Sequence, residues 1–453
     1  MSVEKIGSPR TAHDRPHAAR AVVLPAPKWG TGTIKHRELA RLPLHLDEED
    51  VRLHWVDGVI VIEQRNRFED RLEILDPASG GDVFSISAYG RGCAAYKNGL
   101  VAFSRAEVDQ RSDDVTIHSL EERSALHRLD LGKTEVYGLQ FSPDGTTVLV
   151  AFWSRPECAL YSANSGQRIL VAAGGYESRF NSDGSLIAIP ERAISARKRR
   201  HLRKLRDDRT NIYETRTGRR VSVIEIELFD YAWSPTTDEI AANVQQSSDL
   251  LPVLAVCAPT HEADTWDVRR FDAYPTSGEP HWSPDGRTIA ATTWSQLGVN
   301  DAETLVWDVA SEAPDARWMR NSTLRGRTLG WSNDGRTLLL HNGDGIIARN
   351  LDGSFWDIPL PLGEDDKIVL VQPHTGGMDA DDSQGASIVQ WSNDDHLLLV
   401  YGRDGLGVWS RDSGVELARI AQEEPLLAAS FNSGADRIAT VTADGALRVW
   451  WPA

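Results

Sequence analysis

Nine aromatic residues, each ending a short apolar run and followed by a tight-turn cluster and a second apolar run, predict an all-β chain. They stand at Trp55, Tyr96, Phe141, Phe180, Trp233, Trp282, Trp331, Trp391 and Phe431. Their separations are 41, 45, 39, 53, 49, 49, 60 and 40 residues. A period of about 40–50 residues is that of four-stranded sheets set radially around an axis. The expected architecture is a single closed β-propeller of four-stranded antiparallel blades. Nine windows give nine blades, with eight as the second choice. The propeller is expected over 34–453, behind a flexible tail at 1–33.

The clearest turns read Phe141-Ser-Pro-Asp-Gly145, Trp282-Ser-Pro-Asp-Gly286 and Trp331-Ser-Asn-Asp-Gly335, with looser variants after the other six aromatics. Pro pre-sets φ for a type I turn, and Gly in the fourth position supplies the left-handed conformation that returns the chain to the sheet. The aromatic before each turn is expected in the core between neighbouring blades, because a large flat side chain buries the most area there.

Ser387 to Ile420 shows one repeat in full. Ser387–Trp391 reads as a first strand and His396–Tyr401 as a buried second. Asp404-Gly405 makes a hairpin into Leu406–Ser410, and Asp412-Ser-Gly414 turns into Val415–Ile420. The last repeat stops at a third strand, Ala446–Trp451, with only Pro452-Ala453 beyond. Such an end would leave an open sheet edge. Glu38-Leu-Ala-Arg-Leu42 matches Glu416-Leu-Ala-Arg-Ile420, the fourth strand of the preceding repeat. The N-terminal strand is therefore expected to pair with the C-terminal one and close the ring.

These features resemble the WD40 repeat family over residues 36–453. The marks are the aromatic-Ser-Pro-Asp-Gly box, Asp-Gly hairpins at Asp344-Gly345, Asp404-Gly405 and Asp444-Gly445, and strands ending in Trp. Only Trp307-Asp308 spells the family dipeptide at the end of a third strand, and the opening Gly-His is absent. The copies are thus degenerate, which leaves a TolB-like propeller as the alternative. The resemblance implies a rigid ring that presents loops to partners.

Three stretches depart from the repeat, and departures on a repeat scaffold map to loops. Arg192 to Arg209 falls between the second and third strands of the fourth repeat. It holds nine Lys or Arg against Asp207 and Asp208, a net +7 that leaves −24 on the remainder of a chain of charge −17. Arg197, Lys198, Arg199, Arg200, Arg203 and Lys204 are the candidate contacts for an acidic protein or RNA. No aromatic interleaves them, which weakens single-strand stacking as a mode. A solvated loop drawn to the protein's own acidic surface is the bland reading.

The second departure, 360–385, joins Glu364-Asp-Asp366, the apolar run Ile368-Val-Leu-Val371 and a Gly- and Asp-rich stretch. Its apolar run is expected to add a strand or dock on the ring. Asp379, Asp381 and Asp382 lack the spacing and terminal Glu of an EF-hand, so an acidic loop is expected rather than a calcium site. In the third, the tail, Ala21–Leu24 and Trp29 are the segments placed to lie against the ring or a partner. His13 and His17 are too sparse to argue for a metal.

No catalytic motif emerges. Gly330-Trp-Ser-Asn-Asp334 falls one residue short of a nucleophile elbow, and its Ser332 belongs to the repeated turn box. There is no His-Glu-x-x-His, phosphate-binding glycine loop or paired-Cys metal site, so no cofactor is implied. Cys93, Cys158 and Cys257 fall in three different repeats and read as core residues of a reducing compartment.

The acidic balance argues against a body that wraps nucleic acid or an anionic membrane. No run approaches 18 apolar residues, and the start lacks a signal-peptide core, so a cytoplasmic protein is expected. The expectation is a non-catalytic interaction scaffold for a protein partner. The alternative is a propeller enzyme of hydrolase or lactonase type, with a metal or ligand at the central channel.

Overall fold

The computed structural model describes residues 29–30, 33–42, 50–56, 58–65, 69–89, 94–106, 113–132, 134–152, 157–175, 177–191, 209–226, 228–244, 251–260, 265–293, 303–310, 327–341, 345–359, 368–371, 387–402 and 405–452. The ordered elements among them are strands, beginning with β1 (Ile34–Arg41).

The first sheet is β2 (Asp50–Val56), β3 (Val59–Arg65), β4 (Glu69–Leu75) and β5 (Asp82–Tyr89). The second is β6 (Ala94–Lys97), β7 (Leu100–Ala106), β8 (Asp113–Ser119) and β9 (Ser124–Leu129). The third is β10 (Val136–Phe141), β11 (Thr147–Phe152), β12 (Glu157–Ser162) and β13 (Arg168–Ala173). The fourth is β14 (Arg179–Phe180), β15 (Leu186–Pro190), β16 (Thr210–Glu214) and β17 (Arg220–Ile224).

The fifth sheet has six strands: β18 (Phe229–Trp233), β19 (Ile240–Val244), β20 (Val253–Pro259), β21 (Trp266–Trp282), β22 (Thr288–Thr293) and β23 (Thr304–Asp308). The sixth is β24 (Arg327–Trp331), β25 (Thr337–His341), β26 (Gly345–Asn350) and β27 (Phe355–Pro359). The seventh is β28 (Ile368–Val371), β29 (Ser387–Trp391), β30 (Leu397–Gly402), β31 (Gly405–Ser410) and β32 (Glu416–Ala421). The eighth is β33 (Leu426–Phe431), β34 (Ile438–Thr442) and β35 (Ala446–Pro452), with β1 on its outer edge.

Each sheet is an antiparallel meander, and β28 on β29 is the one parallel pair among the described strands. β21 serves two meanders. Its first part, from Trp266 to Phe271, pairs with β20, and its last part, from Thr276 to Trp282, pairs with β22. β1 pairs with β35 from Ile34 opposite Pro452 to Arg41 opposite Ala446, and the Leu42 N–H then reaches the Gly445 carbonyl at 2.8 Å. The matching tetrapeptides make the same ion pair: Arg41 Nε to Glu38 Oε1 at 2.9 Å, and Arg419 Nε to Glu416 Oε1 at 2.7 Å.

All nine repeat aromatics lie at or next to the end of a strand that leads into a turn. Their burial explains the period. Each belongs to an apolar cluster that joins its own strands to the preceding set: Tyr96 with Val61 and Ile74, Phe141 with Val115 and Ile117, Phe180 with Leu149 and Leu160. Trp233 packs with Ala188 and Ile212, Trp282 with Leu254 and Phe271, Trp331 with Val306, and Trp391 with Leu339. Phe431 packs with Leu397, and Trp55 joins the first sheet to Val441 and Leu447 of the eighth. Each repeat thus packs a flat ring against apolar side chains of the repeat before it, where apolar burial is largest.

The turns after Phe141, Trp282, Trp331 and Trp391 are built by side chains. Ser142 Oγ donates to Asp144 Oδ1 at 2.6 Å and accepts the Thr147 N–H at 3.0 Å. Ser283, Ser332 and Ser392 repeat both bonds with Asp285, Asp334 and Asp394. Gly145, Gly286 and Gly335 take φ of 74°, 69° and 69°, as the turn requires. In two copies a side chain must adopt that conformation: Asp395 at φ 60° and Ala435 at φ 52°.

Candidate partner interface

The six basic candidates, Arg197, Lys198, Arg199, Arg200, Arg203 and Lys204, lie outside the described residues. Their root is described. β15 and β16 pair from Leu186 opposite Glu214 to Pro190 opposite Thr210, and the Glu191 N–H then reaches the Arg209 carbonyl at 3.0 Å. Arg209 Nε donates to Glu191 Oε2 at 2.6 Å, and Asn211 Nδ2 donates to the same oxygen at 3.3 Å. Bonding to the Arg209 guanidinium holds the Glu191 carboxyl below its ordinary range, against the opposing effect of partial burial. The insertion therefore leaves and re-enters the sheet across a hydrogen-bonded, charge-paired gate.

Strand alternation fixes which end of the sheets carries that gate. In a four-strand meander, the first-to-second and third-to-fourth turns share one end. The second-to-third and fourth-to-first connections share the other. The turn boxes occupy the first end. The gate of 192–208 and the exit of β27 toward 360–367 occupy the second.

First strands of successive sheets touch one another, as β2 does β33, β6 does β10 and β14 does β18, so the sheets converge at these strands. Three indoles stitch the convergence. Trp233 Nε1 donates to the Arg179 carbonyl at 2.9 Å, Trp282 Nε1 to Ala232 at 3.0 Å and Trp331 Nε1 to His281 at 3.0 Å. Each acceptor immediately precedes the aromatic of the preceding repeat. At two other seams a side chain takes over: Gln390 Oε1 accepts the Phe431 N–H at 3.2 Å, and Ser430 Oγ accepts the Trp55 N–H at 3.4 Å.

Sequence reasoning missed one polar constellation at this inner rim. Arg179 and Glu279 form a two-pronged ion pair that includes Arg179 Nη2 to Glu279 Oε2 at 2.8 Å, across the intervening β18. The guanidinium also lies 5.8 Å from the Tyr231 ring centroid. Glu279 reaches inward because Gly278-Glu279-Pro280 bulges out of register between Ser277 and His281. Asn243 holds the bulge, its Nδ2 donating to the Gly278 carbonyl at 2.6 Å and its Oδ1 accepting from Thr276 Oγ1 at 2.7 Å. The Pro in the strand was the readable signal; the 100-residue partnership was not.

Ser332 is fully buried and fills the same turn role as Ser142, Ser283 and Ser392, donating to Asp334 and accepting the Thr337 N–H. Burial pushes the Cys158 and Cys257 thiols up to about 12, which makes them poor nucleophiles. Cys93 lies outside the described residues. Burial lowers the His54 pKa, keeping its imidazole neutral. Among the described residues no three His, Cys, Asp or Glu side chains gather as a metal site would need. Among them, too, no helix is long and apolar enough to cross a membrane.

No family model matches the chain, and no curated protein does. Its structure is similar to the crystal structure of the eukaryotic initiation factor, at 12% identity, with 83% of this chain and 90% of that chain covered and a TM-score of 0.56. It is also similar to the structure of the Dos1 propeller, at 12% identity over 79% of this chain and 91% of that chain, with a TM-score of 0.47. At such identity the first likeness is one of fold alone. Together with the repeated radial sheets, it makes the chain a β-propeller.

Proposed function

We propose that the chain is a cytoplasmic, WD40-like propeller of nine blades, closed by β1, that binds an acidic protein partner through Arg192–Arg209. The six-stranded sheet counts as two blades because it holds two first strands, β18 and the last part of β21. Nine seams, each with its own apolar cluster, favour the same number. The ring supplies rigidity and the insertion supplies recognition.

The observation that carries the reading is the +7 run borne on the Glu191–Arg209 gate. Its charge opposes that of the remaining body, so positive charge is concentrated in the one segment that connects β15 to β16. Replacing Arg197, Lys198, Arg199, Arg200, Arg203 and Lys204 by Ser should abolish capture on a poly-glutamate resin while the melting temperature stays unchanged. Undiminished capture would discard the assignment. Preferential binding of a single-stranded RNA oligonucleotide, with a steep salt slope, would move it to nucleic acid instead.

A further inference from the structure

The strongest signal outside the basic insertion is the single parallel strand. Among the described residues, the inner edges of β2, β6, β10, β14, β18, β24 and β33 carry no ladder partner. The inner edge of β29 does: β28 pairs with it in parallel, Ile368 opposite Ser387 through Val371 opposite Gln390. β28 also touches β24 of the preceding sheet. It thus sits at the convergence of the sheets, on the edge facing the ring axis.

This seam differs from its neighbours in a second way. By the stitch seen at Trp233, Trp282 and Trp331, the Trp391 indole would donate to the Gly330 carbonyl. Its Nε1 is instead buried without a partner among the described residues, in a side chain 2% exposed. Among the described residues, the seam carrying the added strand lacks the indole stitch made at Trp233, Trp282 and Trp331.

We infer that the inner edge of β29 is a peptide-docking edge occupied in cis by Ile368–Val371, and that an extended apolar segment of a partner exchanges with it. The occupant's chemistry is read from the strand already seated there: four consecutive apolar residues, three of them β-branched, with main-chain groups that complete a ladder. Several features suit β28 to exchange. It has four residues, a short strand even for an edge. Parallel pairing is slightly weaker per residue than antiparallel pairing. The chain on either side, residues 360–367 and 372–386, gives it its own tether. Covalent connection makes the cis pairing intramolecular, so a free peptide competes at a disadvantage that deletion would remove. This surface is independent of the basic insertion.

The probe is a fluorescein-labelled peptide carrying Ile-Val-Leu-Val between lysines, used with three proteins. The first is the intact chain. The second replaces 364–382 by a Gly-Ser linker. The third carries Val369→Pro and Leu370→Pro at full length; successive N–H groups point to opposite edges, so one of the two prolines must interrupt the ladder. Saturable binding to either altered protein, about tenfold tighter or more than to the intact chain, is expected. The same peptide N-methylated at alternate residues should lose it. Equal affinity for intact and altered proteins, or undiminished binding of the N-methylated peptide, would overturn the assignment. The intact chain gives an independent reading if neither altered protein folds: saturating peptide should speed amide exchange at 368–371, and unchanged exchange would also sink the proposal.

Discussion

Asp395 accepts the backbone N–H of Asp334 at 2.6 Å while its own backbone sits at φ 60°. The same carboxylate takes the Asn333 N–H and Asn333 Nδ2, each at 2.8 Å, so one turn box seizes the next across a seam. Asp334 in turn accepts from Arg411 Nη1 at 2.6 Å. The repeat calls for glycine at position 395, and the aspartate trades conformational ease for three inter-sheet bonds.

Two substitutions separate those effects. Asp395→Gly keeps the turn conformation and loses the bonds, at a cost of about 1–3 kcal/mol. Asp395→Ala loses the bonds and retains the left-handed strain, so it should be less stable than the glycine variant by about 1 kcal/mol. Urea unfolding checks both. A glycine variant as stable as the parent would show that the carboxylate contributes nothing at this seam.

The gate of the basic insertion should respond to acid. The Glu191 carboxyl is held below its ordinary value near 4.5 by Arg209, so its contribution is present above that value and is lost as pH falls through the depressed folded pKa. Amide exchange at Glu191, corrected for intrinsic pH dependence, should therefore accelerate only as pH falls below the ordinary carboxylate range. Glu191→Gln should show the faster exchange already at neutral pH, with no further step in acid. A step that survives the substitution would assign it to another group.

Much of the fold was legible because it is local and repeated. The four strands read between Ser387 and Ile420 appear within a residue of their expected bounds. The likeness of Glu38–Leu42 to Glu416–Ile420 located the strand on β35, down to the shared Glu–Arg ion pair. Trp29, marked in the tail, is buried and donates its indole N–H to Ala435 at 2.7 Å. What could not be read depends on pairs distant in sequence. The Arg179–Glu279 contact requires a bulge to aim one partner across a neighbouring sheet, and periodicity says nothing of that. The run Ile368–Val371 is apolar enough for a strand, but direction and edge are decided by its surroundings.

The pairing of β1 with β35 ties the first described strand of the chain to the last. Removing residues 1–42 would strip that edge, the Leu42–Gly445 bond and the Trp29 contact together. Because apolar clusters run from sheet to sheet and join the eighth to the first, the loss should spread around the whole molecule. Circular dichroism and tryptophan fluorescence should report one coincident transition, lowered by about 10 °C or more. A truncated protein melting within a few degrees of the parent, or losing only a minor early phase, would confine the effect to one sheet.

The same conservative substitution should have unequal effects at four equivalent tryptophans. Trp233→Phe, Trp282→Phe and Trp331→Phe each remove an indole N–H that bonds a carbonyl of the preceding repeat, at a cost of about 1 kcal/mol beyond the lost apolar area. Trp391→Phe removes a buried N–H with no partner among the described residues, so relief of that unmade bond offsets the lost area. The area term is shared by all four, and subtracting one result from another leaves the hydrogen bond. Equilibrium unfolding should rank Trp391→Phe as the mildest by about 1–2 kcal/mol. An equal cost at all four positions would mean that the three indole stitches add nothing to the cohesion of the inner rim.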